Sequence, residues 1–209
     1  MKRLYLTSSV HAVAQRLAKD LTLNSDNNKL VFITTATEDK EHDKSWMDND
    51  RNALINAGFD VFDYTITNKS EEQIRKDLNH VNYVYVEGGN TFYLLEKAQQ
   101  SNFINIIRDY ILKDRKIYIG TSAGSIIASR DTYPTHFLDN AKLAPNLKGY
   151  EGFGLVDFVV FPHWGSEKFN DLYLNHRLEH AYEGNSQIIL LRDNQYIEVK
   201  DDWYRIVEV

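Results

Sequence analysis

The 209-residue chain has no cysteine. This excludes disulfides, a thiolate nucleophile and thiolate-ligated metal. No apolar run approaches the ~18 residues that a membrane-spanning helix requires. The opening MKRLYLTSS passes directly into a strand-like pattern, without the long apolar stretch and small-residue cleavage site of a secretory signal. Basic clusters are absent as well, and 24 Lys+Arg against 30 Asp+Glu give a net charge of -6, which argues against a nucleic-acid partner. Nor is there an internal repeat, a low-complexity tract or a linker. The expectation is a single cytoplasmic domain over residues 1–209, with no membrane or nucleic-acid partner.

The remaining sequence alternates strand and helix patterns. Arg3 to Ser8, Lys29 to Ala36, Asp60 to Thr67, Asn82 to Glu87 and Ile117 to Ile119 read as strands. Between them, Val13, Leu17 and Leu21 fall at helical spacing. A second helix runs through Ala53, Leu54 and Ile55 to a stop at Gly58, Ser70 with Gln73 resembles a capping box, and Thr91 to Lys113 reads as two helices broken near Ser101. This order implies βαβ units and a mainly parallel sheet covered by helices on both faces, a three-layer α/β/α sandwich. The segment Asp131 to Gly154 reads as loop with short strands. A strand at Leu155 to Phe161 and a helix from about Glu167 to Tyr182 follow. Gln187 to Leu191, Gln195 to Lys200 and Tyr204 to Val209 are spaced closely enough to suggest an antiparallel finish.

In sheets of this kind ligands bind outside the carboxyl ends of the strands. There, Gly120, Ser122 and Gly124 form G-x-S-x-G at a strand-to-helix turn. A serine at such a turn has a strained backbone that lifts its Oγ above the sheet edge, and the helix start presents the Ala123 N–H to a developing oxyanion. A Gly/Ser turn can equally serve as a plain helix cap, but the small residues Ala123, Gly124, Ser125 and Ala128 suit close helix–sheet packing. A second glycine turn, Gly88-Gly89, ends the preceding strand and can supply another donor if the two strands are neighbours.

Of seven histidines, only His163 directly follows an apolar strand, with Pro162 before it and Gly165 shortly after. His176 and His180 have an i, i+4 spacing that can ligate metal, yet no third ligand or HExxH-type glutamate accompanies them. No metal or cofactor is expected. Asp131, Asp139, Asp157 and Asp193 are candidate acids to orient an imidazole. Strand-end placement favours Asp193, although Asp193-Asn194 also suits a simple turn. The resulting order Ser, His, Asp differs from the Ser, acid, His order of α/β-hydrolases.

With VEGGNTFYLL (Val86 to Leu95), IGTSAGSIIAS (Ile119 to Ser129), FPHWG (Phe161 to Gly165) and LRDNQYIEV (Leu191 to Val199), the chain resembles the peptidase E (aspartyl dipeptidase) family of serine peptidases, which is related to cyanophycinase. The resemblance implies a class I glutamine amidotransferase-like (flavodoxin-like) fold, with Ser122 as nucleophile and His163 as general base. It also implies an oxyanion hole from the amides of Gly89 (or Gly88) and Ala123, and a carboxylate in the turn occupied by Asp193, where relatives often have Glu. Aspartyl dipeptidases carry an arginine after the histidine that pairs with the substrate's acidic side chain. Here Gly165 to Leu174 offers only Lys168, with Arg177 further on. Lysine is the poorer bidentate carboxylate receptor, so a weak preference for N-terminal Asp is expected.

The leading expectation is a serine peptidase of short peptides, acting through an acyl-enzyme as a monomer or homodimer. The alternatives are an altered family member that binds a small metabolite or partner protein, and an amidase or esterase.

Overall fold

The computed structural model describes residues 1–24, 26–38, 44–136, 139–176, 178–181 and 186–209. Seven strands form the main sheet: β1 (Arg3–Thr7), β2 (Lys29–Ile33), β3 (Asp60–Tyr64), β4 (Tyr83–Val86), β5 (Ile117–Thr121), β8 (Gln195–Lys200) and β9 (Trp203–Glu208), in the order β3-β2-β4-β5-β1-β8-β9. The first five pair in parallel, whereas β8 runs antiparallel to β1 and β9 antiparallel to β8. The expected mainly parallel sheet with an antiparallel C-terminal end is therefore observed.

Two interleaved residue sets explain the layers. Tyr5, Leu30, Phe32, Tyr83 and Tyr85 point to one face, where they pack with Val10, Val13 and Leu17 of α1 (Val10–Leu21) and Leu54 of α2 (Ser45–Asn56). Their alternates Leu4, Leu6, Val31, Ile33, Val84 and Val86 point to the other. That face meets Ile74 of α3 (Glu71–Asp77), Leu94 of α4 (Thr91–Gln100) and Ile106 of α5 (Phe103–Leu112). A period-two strand with apolar residues at every position must be covered on both sides.

The helix boundaries follow local chemistry. Ser70 and Gln73 form the reciprocal capping box at the start of α3. Asn90 Oδ1 accepts the N–H groups of Phe92 and Tyr93 and so starts α4 just after the Gly88-Gly89 turn. The helix after the serine turn, α6 (Ala123–Ile126), lasts only four residues. Beyond it, the described residues between 131 and 154 form two short 3₁₀ turns, Tyr133–Thr135 and Ala141–Leu143, and one isolated bridge between Asp131 and Glu151, with no strand among them.

One expectation is corrected. β7 (Gln187–Leu190) does not join the antiparallel finish but pairs in parallel with β6 (Phe158–Phe161) in a separate two-stranded sheet. Val159 and Phe161 pack there with Tyr173 of α7 (Glu167–His176) and Ala181 of α8 (Leu178–Ala181), while Phe158, Val160 and Ile189 face the main core. The consequence for the site is direct: the carboxyl ends of β6 and β7 bring His163 and Asp193 side by side.

Candidate active site

Three strand ends align in register, with Val86 of β4 opposite Gly120 of β5 and Thr121 of β5 opposite Thr7 of β1. The residues that follow, Glu87 to Gly89, Ser122 and Ser8, therefore emerge at one edge. Ser122 has φ 48° and ψ −111°, an outlying conformation for a residue with a Cβ, and caps α6. The turn is held by Ser122 N–H donating to Thr7 O at 3.1 Å and by Ser125 Oγ donating to Thr7 O and Gly120 O. Gly124 is required for closeness: a Cβ there would lie 2.0 Å from Val86 O.

His163 Nε2 lies 3.1 Å from Ser122 Oγ, and its Nδ1 lies 2.7 Å from Asp193 Oδ1. The small sheet sets this geometry through Leu191 N–H to Phe161 O and Trp164 N–H to Leu191 O, which extend the β6–β7 pairing to the histidine. His163 also has a positive φ, 62°, and Phe169 stacks on its ring at 4.7 Å and 20°. Asp193 is further fixed by Ser8, a fully buried residue whose Oγ donates to Asp193 Oδ1 at 2.6 Å and accepts the His163 backbone N–H at 2.6 Å. Burial alone would raise the Asp193 carboxyl. The hydrogen bonds from His163 and Ser8, with the nearby His163 and His11 charges, outweigh it and hold the group below its ordinary value. A chain of this kind can take a hydroxyl proton onto Nε2 while the carboxylate stabilises the imidazolium.

The candidate oxyanion donors divide. Gly88 N–H is directed at the Glu87 carboxyl at 2.6 Å. Among the described residues, the N–H groups of Gly89 and Ala123 have no intramolecular acceptor. Gly89 adopts φ 138° against Ala36, whose carbonyl oxygen would lie 2.1 Å from an added Cβ, so only glycine fits this turn. Glu87 is fully buried, and Tyr85 Oη donates to it at 3.1 Å. Burial, reinforced by the charge of Asp50, pushes its carboxyl well above the usual range.

Ser122, His163 and Asp193 border a cavity of about 340 Å³ shared with Ser8, Ser9, His11, Trp46, Asp50, Gly88, Gly89, Thr121, Asp139 and Phe169. The other candidate acids are engaged elsewhere. Asp157 is exposed and pairs with Arg130, Asp131 caps Tyr133 N–H, and Asp139 accepts Thr91 N–H and Oγ1–H at the start of α4. Arg177 lies outside the described residues. Lys168 belongs to α7, but its side chain, like those of His176 and His180, lies outside them too. Among the described residues there is no cluster of three or more metal-ligating side chains, and no helix is long and apolar enough to cross a membrane. Ser8, His11, Asp50 and Glu87 were not singled out by the sequence. For Ser8 a signal existed, since it ends the first strand of a parallel sheet, where ligand sites form.

The fold and site define an α/β protein with a Ser–His–Asp hydrogen-bond chain at the carboxyl edge of its sheet. The family model of peptidase family S51 matches residues 4–207, and the chain belongs to that peptidase family. An uncharacterized peptidase of Listeria monocytogenes is 31% identical over 200 residues, covering 96% of this chain and 95% of the relative. A probable alpha-aspartyl dipeptidase of Drosophila melanogaster is 30% identical over 146 residues, covering 70% of this chain and 56% of that protein. A crystal structure from Listeria monocytogenes, provisionally described as a peptidase E protein, superposes with a TM-score of 0.89 at 28% identity, covering 100% of this chain and 99% of the other. The resemblance to peptidase E read from the sequence motifs is thus borne out.

Proposed function

We propose that this protein is a serine peptidase that hydrolyses short peptides, dipeptides with N-terminal Asp among them, through an acyl-enzyme on Ser122. The observation that carries the reading is the continuous chain from Ser122 Oγ through His163 to Asp193 in the lining of one cavity. In this mechanism His163 Nε2 takes the Ser122 proton as Oγ attacks the scissile carbonyl. The resulting oxyanion is met by the N–H groups of Gly89 and Ala123. His163 then gives its proton to the leaving amine as the C–N bond breaks. A water molecule, deprotonated by the same histidine, attacks the ester carbonyl, and His163 then returns that proton to Ser122 Oγ as the Oγ–C bond breaks and the acid product leaves. A cavity of about 340 Å³ falls at the small end of ligand sites, which favours short peptides over protein substrates.

The test joins a mass measurement to kinetics. A fluorophosphonate is expected to add once, at Ser122, and Ser122→Ala is expected to abolish both the adduct and cleavage across a dipeptide panel. An adduct elsewhere, or undiminished cleavage by Ser122→Ala, overturns the reading.

A further inference from the structure

The cavity containing Ser122 includes a second Asp–His pair that the proposed chemistry does not use. His11 stands in the first turn of α1, and its Nδ1 lies 2.7 Å from Oδ1 of Asp50 on α2. The same oxygen accepts the His11 backbone N–H at 3.2 Å. Ser9, at the cap position of α1, makes no side-chain capping bond, so Asp50 satisfies this helix start from the neighbouring helix. One carboxylate thus fixes both the backbone and the ring of His11. The exposure is asymmetric: the Asp50 side chain is 4% exposed and that of His11 is 50% exposed. The anchor is sealed and the imidazole opens to the cavity.

The charges lining the cavity single out this group. Among its described lining residues, the acids are Asp50, Asp139 and Asp193, and the groups able to carry positive charge are His11 and His163. Both ring nitrogens of His163 are engaged, by Ser122 and Asp193, and it must be neutral to accept the serine proton. His11 is left. The groups around its ring are Asp50 from α2, the Ser9 hydroxyl at 3.0 Å from Nδ1, and the charge of Asp193 across the cavity. The hydrogen bond to Asp50 favours the protonated ring most, burial opposes it, and the charges of Asp50 and Asp193 add to the first effect.

We infer that His11, oriented by Asp50, is the carboxylate-reading group of this cavity, its Nε2–H binding a carboxylate of a short peptide. That carboxylate belongs either to the acidic side chain of the N-terminal residue or to the C-terminus. Because Asp50 already balances the ring's charge, the subsite supplies one charge-assisted hydrogen bond rather than a bidentate clamp. The choice of a peptide as ligand rests on the peptidase reading, but binding is measurable without the serine chemistry.

The experiment is calorimetric titration of Ser122→Ala with Asp-Leu, Asn-Leu, Asp-Leu-amide and Asn-Leu-amide. Asp-Leu is expected to bind about 10- to 100-fold more tightly than Asn-Leu-amide, the range for a hydrogen bond to a charged group. Adding His11→Gln, at a half-exposed position, is expected to abolish most of that preference. The singly neutral peptides identify which carboxylate is read. An unchanged preference in the double variant, or no preference in Ser122→Ala itself, overturns the inference. A preference that depends on His11 while the wild-type protein cleaves none of these peptides would leave this assignment standing and remove the serine-peptidase reading instead.

Discussion

The backbone N–H of Gly88 donates to the side-chain carboxyl of Glu87, its own neighbour, at 2.6 Å. This contact removes one of three amides from competition for an oxyanion and leaves Gly89 and Ala123. The hydroxyl of Tyr85 and the N–H of Gly88 donate to this carboxyl and neither is charged, while its side-chain hydrogen bond with the Asp50 carboxyl favours the protonated form. The neutral acid is therefore the favoured form in the folded protein, whereas the unfolded chain ionises it at the ordinary carboxylate pKa. Across that window the unfolded state binds fewer protons, so this group makes stability fall as pH rises. Glu87→Gln keeps a neutral acceptor for Gly88 and is expected to be more stable than wild type at pH 8. The advantage should shrink on the order of 1 kcal/mol per pH unit toward pH 5. Thermal melts of both proteins across this range check it, and a difference independent of pH would show that Glu87 is not held neutral.

Ser8 joins the histidine backbone to the aspartate side chain. Ser8→Ala leaves the His163 N–H without its acceptor and Asp193 with one donor fewer. An unpaired buried group of this kind costs about 1–3 kcal/mol. On the proposed mechanism the effect falls on the positioning of the base, so kcat should drop about 10- to 100-fold with little change in KM. Steady-state kinetics separate this from a binding role, for which KM would move instead.

At Gly124 the helix start touches β4. With a Cβ placed 2.0 Å from Val86 O, Gly124→Ala must push α6 away from the strand. Overpacking of this kind costs about 1–3 kcal/mol or more, which for a chain of this length lowers Tm by several degrees, at roughly 2–4 °C per kcal/mol. Calorimetry of the variant should show this loss together with reduced labelling of Ser122, since the serine turn is part of the displaced segment.

Much of this site was legible because its parts end strands. Ser122 and His163 were marked by glycine and proline next to β-branched or aromatic runs, and Asp193 by its place after Gln187 to Leu191. The sheet of β6 and β7 was not legible. The turn at Arg192 to Gln195 joins strands of two different sheets, yet its length is that of a hairpin loop. Short spacing alone cannot separate the two cases. His11 and Asp50 were hidden for another reason. Asp50 lies in the charged segment Glu38 to Arg51, which reads as a solvated surface, and only the packing of α2 on α1 buries its carboxylate beside the imidazole. Glu87 resembled the polar end of a strand, because a lone buried acid has no sequence periodicity to reveal it.

Asp193 gives the sharpest test of the hydrogen-bond chain, since its substitution predicts two separate readings. Asp193→Asn conserves shape but removes the charge opposite His163 Nδ1. An imidazolium formed as Ser122 attacks would then lack its counter-ion, and an amide turned to donate would force the tautomer with the proton on Nε2, which cannot accept from Ser122. On the proposed mechanism kcat should fall by several orders of magnitude, as the ~10⁴ loss for the equivalent change in a serine-protease triad indicates. Asp157→Asn serves as the contrast: its side chain is 85% exposed and paired with Arg130 at the surface, so activity should be unaffected. The second reading is stability. The Asp193 carboxyl is held below its ordinary value in the folded state, so its contribution is present above that value and is lost as pH falls through the folded one. Wild type should exceed Asp193→Asn in Tm at neutral pH, with the gap closing in acid. A variant that keeps wild-type kcat, or a Tm gap that widens in acid, would show that Asp193 is not the ionised partner of His163.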